Sequence, residues 1–191
     1  MFEDIRHEVE KRVTPKRYIH TLGVEEKAVE LARVNGADEE KVRVAAILHD
    51  VAKSTTVDEL ERICRENFKD ELTEDDIKIT PILHGFVGAI IAQNEFGIKD
   101  QEIIDAIKYH TIGKKGLGLV GRIIYIADAI EKNRDYPGVE KLREITHRDL
   151  DDGIISEIEH KEEYLKKTGG KSHRNTLEMR DWLIESKGGT R

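Results

Sequence analysis

Cysteine is nearly missing from this sequence. With Cys64 alone, neither an internal disulfide nor a thiolate metal cage can form, and the residue is expected in or beside the core as a small apolar side chain. Proline is almost as scarce, at Pro15, Pro81 and Pro137, and no window alternates apolar and polar residues as several short strands would. An all-α fold is therefore expected. No apolar run approaches membrane-spanning length, and Met1-Phe2-Glu3-Asp4-Ile5-Arg6 lacks the apolar core of a signal peptide. These absences predict a soluble cytoplasmic protein without a membrane partner. Charge of one sign is not gathered into blocks either: 32 basic and 39 acidic residues are interspersed, for a formal net charge of -7. That argues against a nonspecific nucleic-acid binder, whose affinity rests on clustered positive charge. No internal repeat, low-complexity tract or interdomain linker stands out. The 191 residues suit a single domain, with a core over roughly 17–134 and helices over 138–187 packing on it.

What is present is a succession of helical patterns with polar residues set into their apolar stripes. A first helix is expected near residues 2–12. Pro15 breaks the chain, and a second helix runs from about Lys16 to the Asn35-Gly36 stop. Its inner stripe is Val24, Ala28 and Leu31, and one turn back from Val24 lies His20. Asp38 caps the next helix, with Glu39 and Glu40 in its first turn, and Ala45-Ala46-Ile47-Leu48-His49-Asp50-Val51-Ala52-Lys53 closes it. Adjacent helical residues diverge by roughly 100°, so His49 and Asp50 are expected to mark the rim of a cleft near the helix end. Residues 57–67 read as a mainly polar helix, and Asp70 to Lys78 as an exposed acidic segment.

Thr80-Pro81 reads as a helix start with Thr80 as cap. Beyond it His84, Gly88 and Ile91 share a face, Gly88 leaving room for something to approach, and Gly97 ends the helix. Asp100 caps a helix whose Ile103, Ile107 and His110 follow i, i+4, i+7 spacing. Thr111-Ile112-Gly113-Lys114-Lys115-Gly116 follows as a flexible basic loop, suited to a lid or a phosphate contact. The most apolar helix, about Leu117 to Asn133, carries Asp128 among isoleucines and alanines. An ionised carboxylate there costs several kcal/mol unless it faces a metal or a cation such as Arg122 or Arg134. Helices over about 138–147, 149–167 and 173–186 complete the chain. Gly169-Gly170 separates the last two, Leu150, Ile154, Ile158 and Leu165 line the middle one, and Trp182 and Leu183 anchor the last.

His20, His49, Asp50, His84, His110 and Asp128 therefore occupy inward or rim positions on different helices. A lone inward histidine is ordinarily a core residue bonded to a carbonyl. Six such groups together make a poor core, because each needs its own partner. Imidazoles and carboxylates without thiolate suit iron, manganese, zinc, cobalt or nickel.

The order His20, then His49-Asp50, then Asp128 in an all-α chain resembles the H…HD…D signature of the HD-domain metal-dependent phosphohydrolases. The doublet alone is common by chance; the four-part order is much more specific. The blocks Arg17-Tyr18-Ile19-His20-Thr21-Leu22-Gly23-Val24, Leu48 to Lys53, Ile82-Leu83-His84-Gly85, Ala106 to Gly113 and Ile126 to Arg134 are similar, in order and spacing, to the YqeK-like branch of that superfamily. The resemblance covers most of the chain. It implies a single-domain HD-domain helical bundle and symmetrical hydrolysis of diadenosine tetraphosphate to two ADP. The cofactor it implies is a divalent or trivalent cation, with iron foremost. A homodimer is left open.

Carried over residue by residue, the resemblance places His20, His49, Asp50 and Asp128 on the metal. It places Arg17, Asp50, Lys53, His84, His110, Thr111 and Arg134, with Lys171, Ser172, His173, Arg174, Asn175 and Thr176, on the nucleotide. Read locally, the 171–176 stretch is a helix start capped by Ser172. Glu131-Lys132-Asn133-Arg134 departs from the branch, where a proline and aromatic residues are expected around the arginine. The catalytic assignments follow the chemistry of an anhydride. Asp50 bridges metal and water, Lys53 stabilises polyphosphate charge together with Arg134, and His84 and His110 are phosphate donors or ligands of a second cation, the donor role being preferred. Cyclic-dinucleotide phosphodiesterases and stringent-response hydrolases fit less well. The first carry Gly-Tyr-Pro where this chain has Asp135-Tyr136-Pro137 in a different place, and the second follow His-Asp with Glu-Asp where Val51-Ala52-Lys53-Ser54 stands here. The rivals that remain are a nucleotidase acting on nucleoside monophosphates and a non-catalytic nucleotide sensor.

Overall fold

The computed structural model describes residues 2–188, and among them the chain forms eleven helices and no strand. They are α1 Phe2–Arg12, α2 Pro15–Asn35, α3 Glu39–Leu48, α4 Val57–Asn67, α5 Glu74–Ile77, α6 Thr80–Asn94, α7 Gln101–Tyr109, α8 Leu119–Ile130, α9 Val139–Arg148, α10 Leu150–Thr168 and α11 Arg174–Gly188. Helices α2, α3, α7 and α8 pack on one another at the centre, α6 lies on α7, and α9 and α10 cover α8 while α11 rests on α10. One continuous apolar cluster runs through them all, from Ile5 and Val9 to Met179 and Leu183. Partly buried Trp182 packs on this cluster, and buried Cys64 sits inside it with its thiol pushed up to about 12 by burial, which makes it inert. None of the described helices is long and apolar enough to cross a membrane.

Local signals explain most boundaries. Thr14 caps α2 by accepting from the Arg17 amide, Pro15 takes the first helical position, and Gly36 ends the helix in the left-handed region at φ 69°. Asp38 caps α3 and Asp100 caps α7 as expected. Four boundaries differ. The cap of α6 is Ile79, without any side-chain hydrogen bond, so Thr80 is helical and not the cap. The apolar helix is shorter than its composition suggests: Gly118 starts α8, and at Glu131 the backbone turns to ψ 158°. The segment expected to be exposed and acidic contains α5, closed by a Thr73–Asp76 capping box, with Asp76 and Ile77 buried. Helix α11 starts at Arg174, and the Asn175 amide donates to His173 Nδ1, so the cap is His173 and not Ser172.

Two glycines on α6 set the site's spacing. A side chain at Gly85 would lie 2.7 Å from the Lys108 carbonyl, so only glycine lets α6 press against the end of α7. At Gly88 the space expected to admit a ligand is filled by Ile107 and the His49 carbonyl.

Candidate metal centre and active site

His49 caps α3 in helical geometry, and the chain then tightens into i+3 turns, with the Val51 amide donating to Leu48 and the Lys53 amide to Asp50. This tightening turns both members of the doublet into one space despite their 100° divergence on a regular helix. They are not an exposed rim: His49 is 0% and Asp50 3% exposed, and of the two only Asp50 lines the cavity. His20 arrives from α2, Asp128 from the last turn of α8, His84 from the second turn of α6 and His110 from the end of α7.

Backbone and carboxylate acceptors fix the imidazoles. His49 Nδ1 donates to the Ala46 carbonyl at 2.7 Å, and His110 Nδ1 donates to Ile107 at 2.7 Å. His20 Nδ1 donates to Glu131 Oε1 at 3.2 Å. Each ring therefore carries its proton on Nδ1 and presents the Nε2 lone pair to the centre. That lone pair on His20 stands 3.0 Å from Asp128 Oδ1 and 3.8 Å from Asp50 Oδ2, and that on His49 stands 3.3 Å from Asp50 Oδ2. Despite these short distances, His20 Nε2, His49 Nε2 and Asp50 Oδ1 are buried without an aligned hydrogen bond. Lone pairs facing carboxylate oxygens at about 3 Å repel one another unless a cation lies between them.

Two overlapping sets bring their ligand atoms within 4.8 Å of one another: His20, His49 and Asp128, and His49, Asp50 and His110. The two sets share His49 and between them include the four groups assigned to one ion, although no single set holds all four; the donor types fit a first-row divalent cation. Glu131 adds the carboxylate–histidine arrangement that orients such ligands. It is 1% exposed, and Asn133 holds its second oxygen through the backbone amide and the side chain, at 2.7 and 2.9 Å.

In the metal-free chain the charges hold one another. Burial pushes the Asp50 carboxyl up, but the His49, His84 and His110 imidazoles close around it outweigh that and keep it well below the usual carboxylate range. Burial, with His84 and His49 nearby, pushes His110 down to about 3. A neutral His110 can then accept at Nε2, and His84 Nε2, 3.0 Å away, donates to it. Lys53 lies 3.3 Å from His84 Nε2, and burial holds its ammonium below the usual lysine value.

Around this floor lies a cavity of about 470 Å³ whose lining includes Arg17, Lys53, Thr111, Arg134, Lys171 and His173. Arg17 pairs with Asp50 at 2.8 Å and Arg134 with Asp128 at 2.6 Å, whereas Arg122 turns away to Asp151. Thr111 Oγ1 is buried without a partner. Ile112 is buried and its carbonyl accepts from Thr176 Oγ1, which ties the start of the basic loop to α11. Thr176 reaches the cavity with its hydroxyl already committed. Ser172, Arg174 and Asn175 are not on its wall, and Arg174 is directed to the Glu71 carbonyl. Sequence reasoning gave Glu131 no role: its place three residues past Asp128 was visible, but the helix was expected to run on to about Asn133 and ends instead at Ile130.

The family model described as HD domain matches residues 17–133. A curated Bacillus subtilis protein named bis(5'-nucleosyl)-tetraphosphatase, symmetrical, is 38% identical over 177 residues, spanning 92% of this chain and 94% of its own. A protein of the same name from Halalkalibacterium halodurans is 38% identical over 178 residues, spanning 92% of this chain and 93% of its own. The crystal structure of a Clostridium acetobutylicum protein, described as a predicted HD superfamily hydrolase involved in NAD metabolism, superposes with a TM-score of 0.92 at 35% identity, over 97% of this chain and 98% of that one. The chain belongs to the HD domain family and, within it, to the branch of the symmetrical bis(5'-nucleosyl)-tetraphosphatases.

Proposed function

We propose that this chain hydrolyses diadenosine tetraphosphate at its central anhydride, releasing two ADP, with His20, His49, Asp50 and Asp128 holding one cation, iron foremost. The observation that carries the reading is the set of unpartnered Nε2 and carboxylate lone pairs beneath a cavity rimmed with Arg17, Lys53 and Arg134. The names carried by relatives of near-equal length supply the substrate class. When bound there, a cation lowers the pKa of a coordinated water and neutralises a phosphoryl oxygen.

The chain's own groups do the rest. Asp50 Oδ1, buried and without a hydrogen bond, accepts the proton of the attacking water. Arg17 and Arg134 each keep donors beyond those spent on Asp50 and Asp128, and with Lys53 they bring three positive charges to the phosphate chain. His84 is the group placed to donate to a phosphate oxygen or to the departing ADP, and His110 Nε2, which accepts from it in the free chain, holds its ring in place. Thr111 offers a free hydroxyl, and Lys171 and His173 close the wall.

The experiment is to supply purified protein with iron, manganese and cobalt in turn and follow ADP. Two ADP per diadenosine tetraphosphate, with at least one of these metals and not without metal, is the expected result. Orthophosphate from AMP with no ADP from the dinucleotide would replace the reading with a nucleotidase. Tight nucleotide binding without any product would replace it with a sensor.

A further inference from the structure

A substrate with a nucleoside at each end and its scissile bond in the middle must extend both ways from the centre. The cavity over Asp50, His84 and His110, at about 470 Å³, is in the lower part of the range that one drug-sized ligand fills. A second groove of about 590 Å³ opens from the same point, between α10 and the loop over 131–138, and shares Asp128, Arg134 and Lys161 with the first. Its wall is aromatic. Tyr136 and His160 lie nearly parallel, with centroids 6.0 Å apart and planes at 30°. The Tyr136 hydroxyl donates to the Ala129 carbonyl and so fixes that ring. Tyr164, one turn along α10 from His160, is 63% exposed, an unusual position for a large ring that no packing demands. Lys161 and Lys167 border the groove, and Glu163 also lines it.

Resting on the function proposed above, we infer that this groove is the subsite of the second nucleoside, its base stacking on Tyr136, His160 and Tyr164 while Arg134 carries the adjoining phosphate. Rings with exposed faces at the end of a cationic track bind bases by stacking. The other trough beside Arg134 is lined by Thr14, Lys16 and Ile19, and its rings are Tyr136 and a His20 already directed to Glu131 and Asp128, so it offers a base less.

The test compares binding to the metal-loaded protein, by calorimetry, of a diadenosine tetraphosphate whose central bridging oxygen is methylene and of the same compound lacking one adenosine. His160→Ala/Tyr164→Ala alters exposed side chains outside the catalytic floor. It is expected to weaken the two-nucleoside compound about tenfold and the single-nucleoside compound less than about twofold. Equal losses, no loss, or a selective loss produced instead by Lys16→Ala/Ile19→Ala would overturn the subsite. Failure of the parent reading looks different: wild-type protein would release no ADP from the natural dinucleotide, whatever the two binding constants show.

Discussion

Two sides of the cavity are made in different ways. The floor comes from helices: His20 sits on the inner stripe of α2, His49 ends the buried run of α3, and Asp128 lies in the last turn of α8, all anchored in the apolar cluster. Much of the wall comes from chain between helices: Thr111 follows α7, while Lys171 and His173 precede α11. Floor residues have little freedom, because moving one means moving a packed helix. Wall residues are held by a few hydrogen bonds, such as Thr176 to Ile112 and His173 to Asp76 at 3.0 Å. The floor should therefore govern metal and turnover, and the wall mainly affinity for nucleotide.

The largest effect is expected from His49→Ala. It removes a ligand common to both candidate sets, so metal content by mass spectrometry should fall well below one per chain and turnover at least about a thousandfold. Next comes His84→Ala/His110→Ala, expected to lower turnover about a hundredfold or more while the first metal stays bound. Wild-type turnover in that variant would remove the donor role, and loss of the metal would make the pair ligands instead. Glu131→Gln should weaken metal affinity about 10- to 100-fold in a chelator competition, since a neutral amide no longer raises the basicity of His20. On the wall, Lys171→Ala should raise KM about tenfold with kcat and metal content unchanged, the size of one charge-assisted hydrogen bond. A drop in kcat equal to the rise in KM would erase the distinction between floor and wall.

That distinction also marks what the sequence discloses. Periodicity placed His20, His110 and Asp128 inward because a helix converts spacing into direction, and caps such as Asp38 and Asp100 follow from local chemistry. The depth of the doublet was missed because it depends on the i+3 turns after Leu48, which have no compositional mark. Ser172 reads as a cap, yet His173 takes that place, because its ring is already drawn to Asp76 of α5, a helix of four residues too short to leave a periodic trace. Glu131 departs from the expected proline-containing pattern, and only the fold shows its side chain beneath His20.

Gly23→Ala carries the smallest expected effect and is the most selective probe of that last contact. Gly23 lies one turn beyond the level of His20 on α2, and a methyl group there would overlap Glu131 Oε2 and come within 3.1 Å of Asn133 Nδ2. A carboxylate free to swing would simply yield. Here one oxygen is held by His20 and the other by two donors from Asn133, so displacement must loosen the bond to His20 Nδ1. Replacing glycine inside a helix gains up to about 1 kcal/mol of propensity, which offsets part of the steric cost in the metal-free chain. The thermal midpoint without metal should hence change little, while metal affinity falls about threefold, below the range expected for removing the carboxylate charge itself. Unchanged metal affinity would mean that Glu131 can retreat without His20 following, and its part in orienting the ligand would be lost. A fall in the metal-free midpoint as steep as the fall in affinity would assign Gly23 to packing alone.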